Sequence, residues 1–199
     1  MKTEFKKMKI TNRFLGLSLI ELIIAFSVVG LVSLLVASVY FAHFRLFNNQ
    51  NTSIEVSSQN RLALDEITNQ IRQSESIVNT CTGCSGDTTS PTVLILRLWP
   101  QDSSGEPIDP GSSAYDFIIY KRDPTDNTKF TRKIIADAVS SRTSDNKIIA
   151  TNTSDLQFSY DNADPTLASQ VTITIATTAN SGGKTITKTQ SASAVLRNK

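Results

Sequence analysis

Glu21 is an isolated carboxylate inside a long apolar segment. From Leu17 to Ala42 the sequence contains no other acidic or basic side chain and no proline. About 20 apolar residues in a helix are enough to span a bilayer. A carboxylate inside such a helix costs roughly 2.5–3.5 kcal/mol, and less near an end. Because Glu21 lies about one helical turn from the start of the segment, it either reaches the headgroups or has a functional partner.

Few other residues could do chemistry. His43 is the only histidine and stands beside aromatic and basic residues just after the apolar segment, which indicates a membrane-interface residue rather than a metal ligand or a base. A Ser-His-Asp site in the rest of the chain is therefore excluded. Four carboxylates cluster in predicted loops, where solvation explains them: Asp102, Glu106, Asp109 and Asp116. We expect no enzyme activity, no cofactor and no metal.

The charges on either side of the apolar segment predict its orientation. Five basic residues and one acidic residue, Glu4, precede it; the basic residues are Lys2, Lys6, Lys7, Lys9 and Arg13. Short flanks rich in Lys and Arg stay cytoplasmic, so the rest of the chain should be extracytoplasmic. That remainder is slightly acidic although the whole chain has a formal charge of +2. We expect no nucleic-acid binding, which needs clustered basic residues.

Cys81 and Cys84 are the only cysteines. In an oxidising, exported compartment such a pair indicates a disulfide. A thioredoxin-like redox pair is disfavoured because no βαβ pattern surrounds it. Zinc is disfavoured because a zinc site needs about four ligands.

The elements that position these residues begin with one helix, from Leu17 to about Val78. No Gly or Pro occurs between Leu31 and Thr82, and Leu64, Ile67 and Ile71 recur at helical spacing. The polar stretch at residues 48–53 contains poor helix formers, so a break there is the alternative.

Strand patterns follow the helix. We predict an apolar central strand at 92–98, a hairpin of 114–121 and 129–135, and further strands at 147–151, 156–160, 170–177 and 184–197. A long amphipathic helix followed by antiparallel strands predicts an α+β fold with the helix packed across one sheet.

The apolar segment has two rival explanations. A secretory signal peptide has a shorter apolar core of about 7–15 residues and ends in a small-x-small cleavage site, for which Ala37-Ser38-Val39 is a poor candidate. An ordinary uncleaved anchor explains the length but not Gly16 or Glu21.

The order of these features resembles the signal of type IV prepilins and type II secretion pseudopilins. The sequence Arg13-Phe14-Leu15-Gly16 is followed by a hydrophobic residue, Leu17, with Glu21 at the fifth position after the glycine. The resemblance implies cleavage after Gly16 by a prepilin peptidase and N-methylation of Leu17. It also implies that Glu21 pairs with the amine of a neighbouring Leu17 during subunit assembly, since two buried charges that meet cost less than two apart.

The resemblance also implies a domain organisation and partners. Residues 1–16 would be the leader peptide, 17–42 the membrane and filament-core helix, 43–80 its amphipathic continuation, and 81–199 an extracytoplasmic β-rich domain, together the ladle shape of pilins. The partners would be other pilin or pseudopilin subunits, the peptidase, the inner-membrane assembly platform and lipid.

Three later segments narrow the resemblance to one group of subunits, while several functions stay open. The segment from Arg61 to Ser74, the Tyr120 and Phe130-Thr131-Arg132 hairpin, and Leu196-Arg197-Asn198 are similar to minor pilins of the PilW kind and to J-type pseudopilins. The expected function is an assembly subunit of a pilus-type filament. A type II secretion or DNA-uptake filament is the alternative, and a membrane-anchored binding module that does not polymerise is the alternative of another class.

Overall fold

The computed structural model describes residues 18–109 and 114–197. Gly16 and Leu17 lie outside the described residues. The elements in chain order are α1 (Leu19–Gln73), β1 (Ser76–Ile77), β2 (Val93–Leu98), β3 (Asp116–Arg122), β4 (Phe130–Ile135), β5 (Asp145–Ala150), β6 (Thr153–Tyr160), a 3-10 turn (Pro165–Leu167), β7 (Gln170–Ser181) and β8 (Lys184–Val195). The predicted α+β fold with a long amino-terminal helix is confirmed.

Helix α1 is continuous through the polar stretch at residues 48–53, so the alternative of a break is wrong. The chain divides into two compact units between Leu46 and Phe47, within this helix. Inside the polar stretch, the Thr52 hydroxyl donates to the Asn48 carbonyl at 3.0 Å. Such a bond satisfies the hydroxyl without leaving the helix.

The end of the helix differs from the prediction. We expected α1 to reach about Val78, but it ends at Gln73 and Ser76–Ile77 form β1. The backbone N–H groups of Glu75 and Val78 donate to the carbonyls of Arg97 and Ile95, at 2.9 and 3.1 Å. Residues 75–78 therefore pair with β2 instead of continuing the helix, because helix propensity is a weak preference that tertiary contacts override.

The strands form two antiparallel sheets rather than the single sheet we predicted. The larger has the order β1-β2-β3-β4-β5, and the smaller has the order β6-β7-β8. Strand β2 lies inside the larger sheet, with partners on both sides, as its apolar sequence predicted. In β7 burial alternates along the strand, since Val171, Ile173 and Ile175 are fully buried while Thr172 and Thr174 are not.

Both sheets and the second half of α1 share one hydrophobic core. The helix contributes Ala63, Leu64, Ile67 and Ile71. The sheets contribute mainly aliphatic and aromatic side chains, among them Leu94, Leu96, Ile118, Tyr120, Phe130, Leu156, Phe158, Val171, Ile173 and Ile175. Apolar burial of this kind contributes about 25 cal/mol per Å², so this shared core fixes the position of the helix against the strands.

The last hairpin depends on two glycines. Gly182 and Gly183 have φ angles of +56° and +78° between the paired residues Ser181 and Lys184. A two-residue loop with positive φ at both positions matches the twist of the flanking strands, and glycine adopts it without steric cost. This turn sets the register of β8 on β7 over its whole length.

Asp161 organises the connection between β6 and β7. Its carboxylate accepts hydrogen bonds from the Ser169 backbone N–H at 2.9 Å and from the Ser169 hydroxyl at 2.7 Å. The Ser169 hydroxyl, together with the backbone N–H groups of Gln170 and Ser169, holds the pKa of Asp161 below its ordinary value. The stabilisation is therefore complete above the ordinary carboxyl pKa of about 3.9 and is lost as the pH falls through the lower value in the folded protein.

We expect Asp161→Asn to reduce the loss of stability on acidification. Unfolding of the wild type by denaturant at about pH 6, 4 and 2.5 should show a falling free energy, and the variant should show a shallower fall because it lacks this titrating group. Asp65→Asn is the control, since Asp65 lies on the exposed side of α1 and its ion pair with Arg61 is long, at 3.9 Å. Equal pH profiles for wild type and Asp161→Asn would contradict the assigned role.

Candidate functional site: the amino end of the long helix

Ser18 and Glu21 cap the amino end of α1. The Ser18 backbone N–H donates to Glu21 Oε2 at 2.9 Å, and the Glu21 backbone N–H donates to the Ser18 hydroxyl oxygen at 3.3 Å. This reciprocal pair is a capping box, in which a Ser and a Glu three residues later satisfy free N–H groups at a helix start. Our sequence reasoning missed it, although the pattern Ser-x-x-Glu carries the signal.

The capping box gives the Glu21 carboxylate a local partner. Oε2 accepts from Ser18, and the described residues offer Oε1 no hydrogen bond. A carboxylate has two oxygens and about four lone-pair sites. Glu21 can therefore cap its own helix and still accept a donor from another molecule, so the predicted pairing with a neighbouring amine stays a prediction.

The apolar segment that follows is exposed along its length. Every residue from Ser18 to Phe47 is exposed, and the large apolar side chains include Leu19, Phe26, Leu34 and Phe41. One helix near the amino terminus of the described chain, α1, is long and apolar enough to cross a bilayer, with a mean hydropathy of 2.7 over its most apolar window. Soluble monomers rarely expose so large an apolar surface, and this one is compatible with a single membrane anchor.

Polar groups inside this segment are satisfied by the helix itself. The Ser27 hydroxyl donates to the Ile23 carbonyl and the Ser38 hydroxyl donates to the Leu35 carbonyl, both at 2.8 Å. In lipid every polar group must find an internal partner. At the other end of the segment Tyr40 and Phe41 pack edge to face, with ring centroids 6.1 Å apart, where aromatic rings favour the headgroup region.

His43 is exposed among these aromatic residues. Across residues 18–109 and 114–197 no group of three or more His, Cys, Asp and Glu side chains is placed to hold a metal ion.

Cys81 and Cys84 form the predicted disulfide, with Cα atoms 5.2 Å apart. The loop lies on the face of the larger sheet opposite α1, where Cys84 packs with Ile95 and Ile119 in a small second core. The closed loop is short, so the bond constrains the unfolded chain only modestly. Its main contribution is to cover this sheet face.

Arg132 joins α1 to the larger sheet. Its Nη1 contacts Glu66 at 2.7 Å and its Nη2 contacts Asp145 at 2.6 Å, while the side chain is 14% exposed. Tyr120 is its cross-strand partner and is fully buried; burial raises the pKa of its phenol, and the Glu66 charge raises it further. The hairpin residues used for the prepilin resemblance therefore lie at the helix–sheet contact.

Asp116 corrects one sequence-based interpretation. We grouped it with solvated loop carboxylates, but it begins β3 and is fully buried. It accepts from the Asp137 backbone N–H, the Ser140 hydroxyl and Arg142 Nε, at 2.8, 2.8 and 2.9 Å. Buried carboxylates need such partners, and all of them come from a segment more than twenty residues away.

No protein-family model matches the chain, and no curated protein matches it. The resemblance to prepilins therefore depends on the quoted residues alone, chiefly those around Gly16 and Glu21, and it stays a prediction.

Proposed function

We propose that this protein is an assembly subunit of a type IV pilus-type filament, cut after Gly16 and N-methylated on Leu17. The observation that carries the proposal is the exposed apolar segment of α1, with a single carboxylate in its first turn. Before assembly a membrane buries these apolar side chains, and afterwards the packed helices of neighbouring subunits bury them. The proposed site residues are Gly16, Leu17 and Glu21.

In the proposed assembly, Glu21 sets the position of one helix along its neighbour. Cleavage after Gly16 creates a new amine on Leu17, and an amine brought into an apolar bundle needs an anionic partner. The first turn of a helix favours a negative charge, so a carboxylate at Glu21 suits a position where a neighbouring amine can meet it. Capping by Ser18 orients the carboxylate before the partner arrives.

The proposed topology follows from charge. The basic leader stays cytoplasmic and residues after Ala42 are extracytoplasmic. The partners are then the prepilin peptidase and methylase, the inner-membrane assembly platform, lipid, and other subunits.

A minor pilin or a pseudopilin is favoured over a bulk subunit. Many major pilins carry a proline near the twenty-second mature residue, where this chain has Ser38, and α1 is continuous there. A type II secretion or DNA-uptake filament uses the same amino-terminal chemistry and remains the alternative.

We expect the mature protein to begin with N-methylated Leu17. Intact-mass and peptide mass spectrometry of the protein purified from membranes of its native host tests this. Gly16→Val should leave the uncut precursor, because a larger side chain does not fit the cramped subsite before the cut. Gly30→Val is the control, since a Cβ at Gly30 meets no atom within 4 Å, and it should be cut normally.

Two results would overturn the proposal. A mature start at another residue would support a secretory signal peptide. An uncut wild-type protein would support a plain anchor carrying a binding module that does not polymerise.

A further inference from the structure

A groove at the carboxyl end of α1 is lined by three arginines. Its volume is about 810 Å³, within the usual range of ligand sites, which is about 300–1,000 Å³. The arginines come from three separate parts of the chain: Arg72 from the last turn of α1, Arg142 from the loop before β5, and Arg197 just after β8. Trp99 and Pro107 supply apolar surface.

Arg142 is held in place by a buried charge. Its Nε donates to Asp116, which is fully buried, and the arginine side chain is 13% exposed. The hydrogen bond uses Nε and leaves both terminal nitrogens of the guanidinium without a partner among the described residues. A guanidinium carries five N–H donors in a planar fork that matches a carboxylate. Arg142 is therefore pre-oriented with donors to spare.

Arg72 and Arg197 add charge without counter-charge. Neither side chain makes an ion pair or a hydrogen bond with the residues that the structure describes. Glu106 lies on the loop between two groove residues, Gly105 and Pro107, yet it forms no ion pair with these arginines. Asp116 neutralises one of the three positive charges, so the groove is cationic and favours an anionic ligand.

A shallower hollow of about 420 Å³ extends this groove along the end of β8. Arg72 and Arg197 border both, and the extension follows Ser193 to Leu196. Strand β8 is the outermost strand of its sheet, and its register on β7 runs without a bulge. An outer strand presents unpaired N–H and C=O groups that accept another extended chain. The hollow thus suits a peptide better than a compact ion.

We propose that this groove binds an acidic, extended peptide segment of a partner protein, with its carboxylates on Arg72, Arg142 and Arg197 and its backbone along β8. Trp99, 38% exposed, covers an apolar part of the same segment. The proposal goes beyond filament assembly and does not depend on cleavage at Gly16.

The test uses the full chain in detergent and a fluorescein-labelled peptide of alternating Glu and Thr, measured by fluorescence anisotropy. We expect binding that weakens with added salt. Arg72→Gln/Arg197→Gln should raise Kd about tenfold or more, because charge-assisted bonds to carboxylates are lost. Arg61→Gln/Lys184→Gln is the matched control: it also removes two positive charges, one from α1 and one from β8, at exposed positions, and it should leave Kd unchanged.

Three arms can overturn the proposal. Equal binding of a peptide with Gln in place of Glu would remove the carboxylates from recognition. Unchanged binding by the double arginine variant would place the peptide elsewhere. Binding of polygalacturonate but not of the peptide would identify an anionic glycan as the ligand. Circular dichroism of each variant checks that the fold is intact.

Discussion

We expect Glu21→Gln to keep this protein out of the proposed filament while leaving it in the membrane. Glutamine retains the capping box, since Gln serves at the same position as Glu. The substitution therefore removes only the negative charge, and in the proposed filament it would leave the amine of a neighbouring Leu17 unpaired in an apolar bundle. Breaking a buried charge pair costs about 3–5 kcal/mol. We expect incorporation to fall about tenfold or more.

The measurement is quantitative immunoblotting of sheared filaments against the membrane fraction. Ser18→Ala is the matched control: it removes the other half of the capping box and keeps the charge. A lost cap typically costs about 1 kcal/mol, so Ser18→Ala should incorporate far better than Glu21→Gln. The reverse order would mean that capping, not charge pairing, is what Glu21 does.

Ile67→Ala should cause a large loss of folding stability. Ile67 is fully buried in the core that the helix shares with both sheets. Truncating a buried Ile to Ala costs about 2–5 kcal/mol, because the cavity adds to the lost transfer free energy. Denaturant unfolding of the full chain in detergent, followed by fluorescence of the single tryptophan, Trp99, measures it.

The control for Ile67→Ala is Leu62→Ala. Leu62 lies five residues earlier on the same helix and is 66% exposed, so its truncation should change the free energy of unfolding by about 0.5 kcal/mol or less. Similar losses for both variants would mean that this face of α1 does not pack on the sheets.

The long helix and most strands were predictable because their signals are local. Apolar residues at helical spacing marked Leu64, Ile67 and Ile71 as the buried stripe, and alternation marked Val171, Ile173 and Ile175. The tight Gly182-Gly183 turn carried its own signal. The capping box was equally local, and it was missed because Glu21 was interpreted only through its charge.

Pairing with distant strands could not be predicted. Residues Ser76–Ile77 left the helix because β2 offers them hydrogen bonds. The division into two sheets depends on which strands pair, and no residue in β5 or β6 encodes that choice alone.

The arginine-lined groove also could not be predicted from the sequence. Asp116, Arg142, Arg72 and Arg197 lie in separate parts of the sequence, and no spacing between them signals a site. Only their positions in the folded chain bring the buried carboxylate to one arginine and the other two arginines to the same opening.

The sequence by itself determined the apolar amino-terminal segment with its single acid, Glu21, the α+β class and the Cys81–Cys84 pair. Each of these features depends on residues close together in the sequence or on overall composition, so it can be recognised without knowing the fold. The tertiary structure decided where α1 ends, how the eight strands of the described residues divide between two sheets, and which arginines line the same groove. Those outcomes depend on competition between hydrogen-bond partners and on burial between segments far apart in the chain, which no local pattern records.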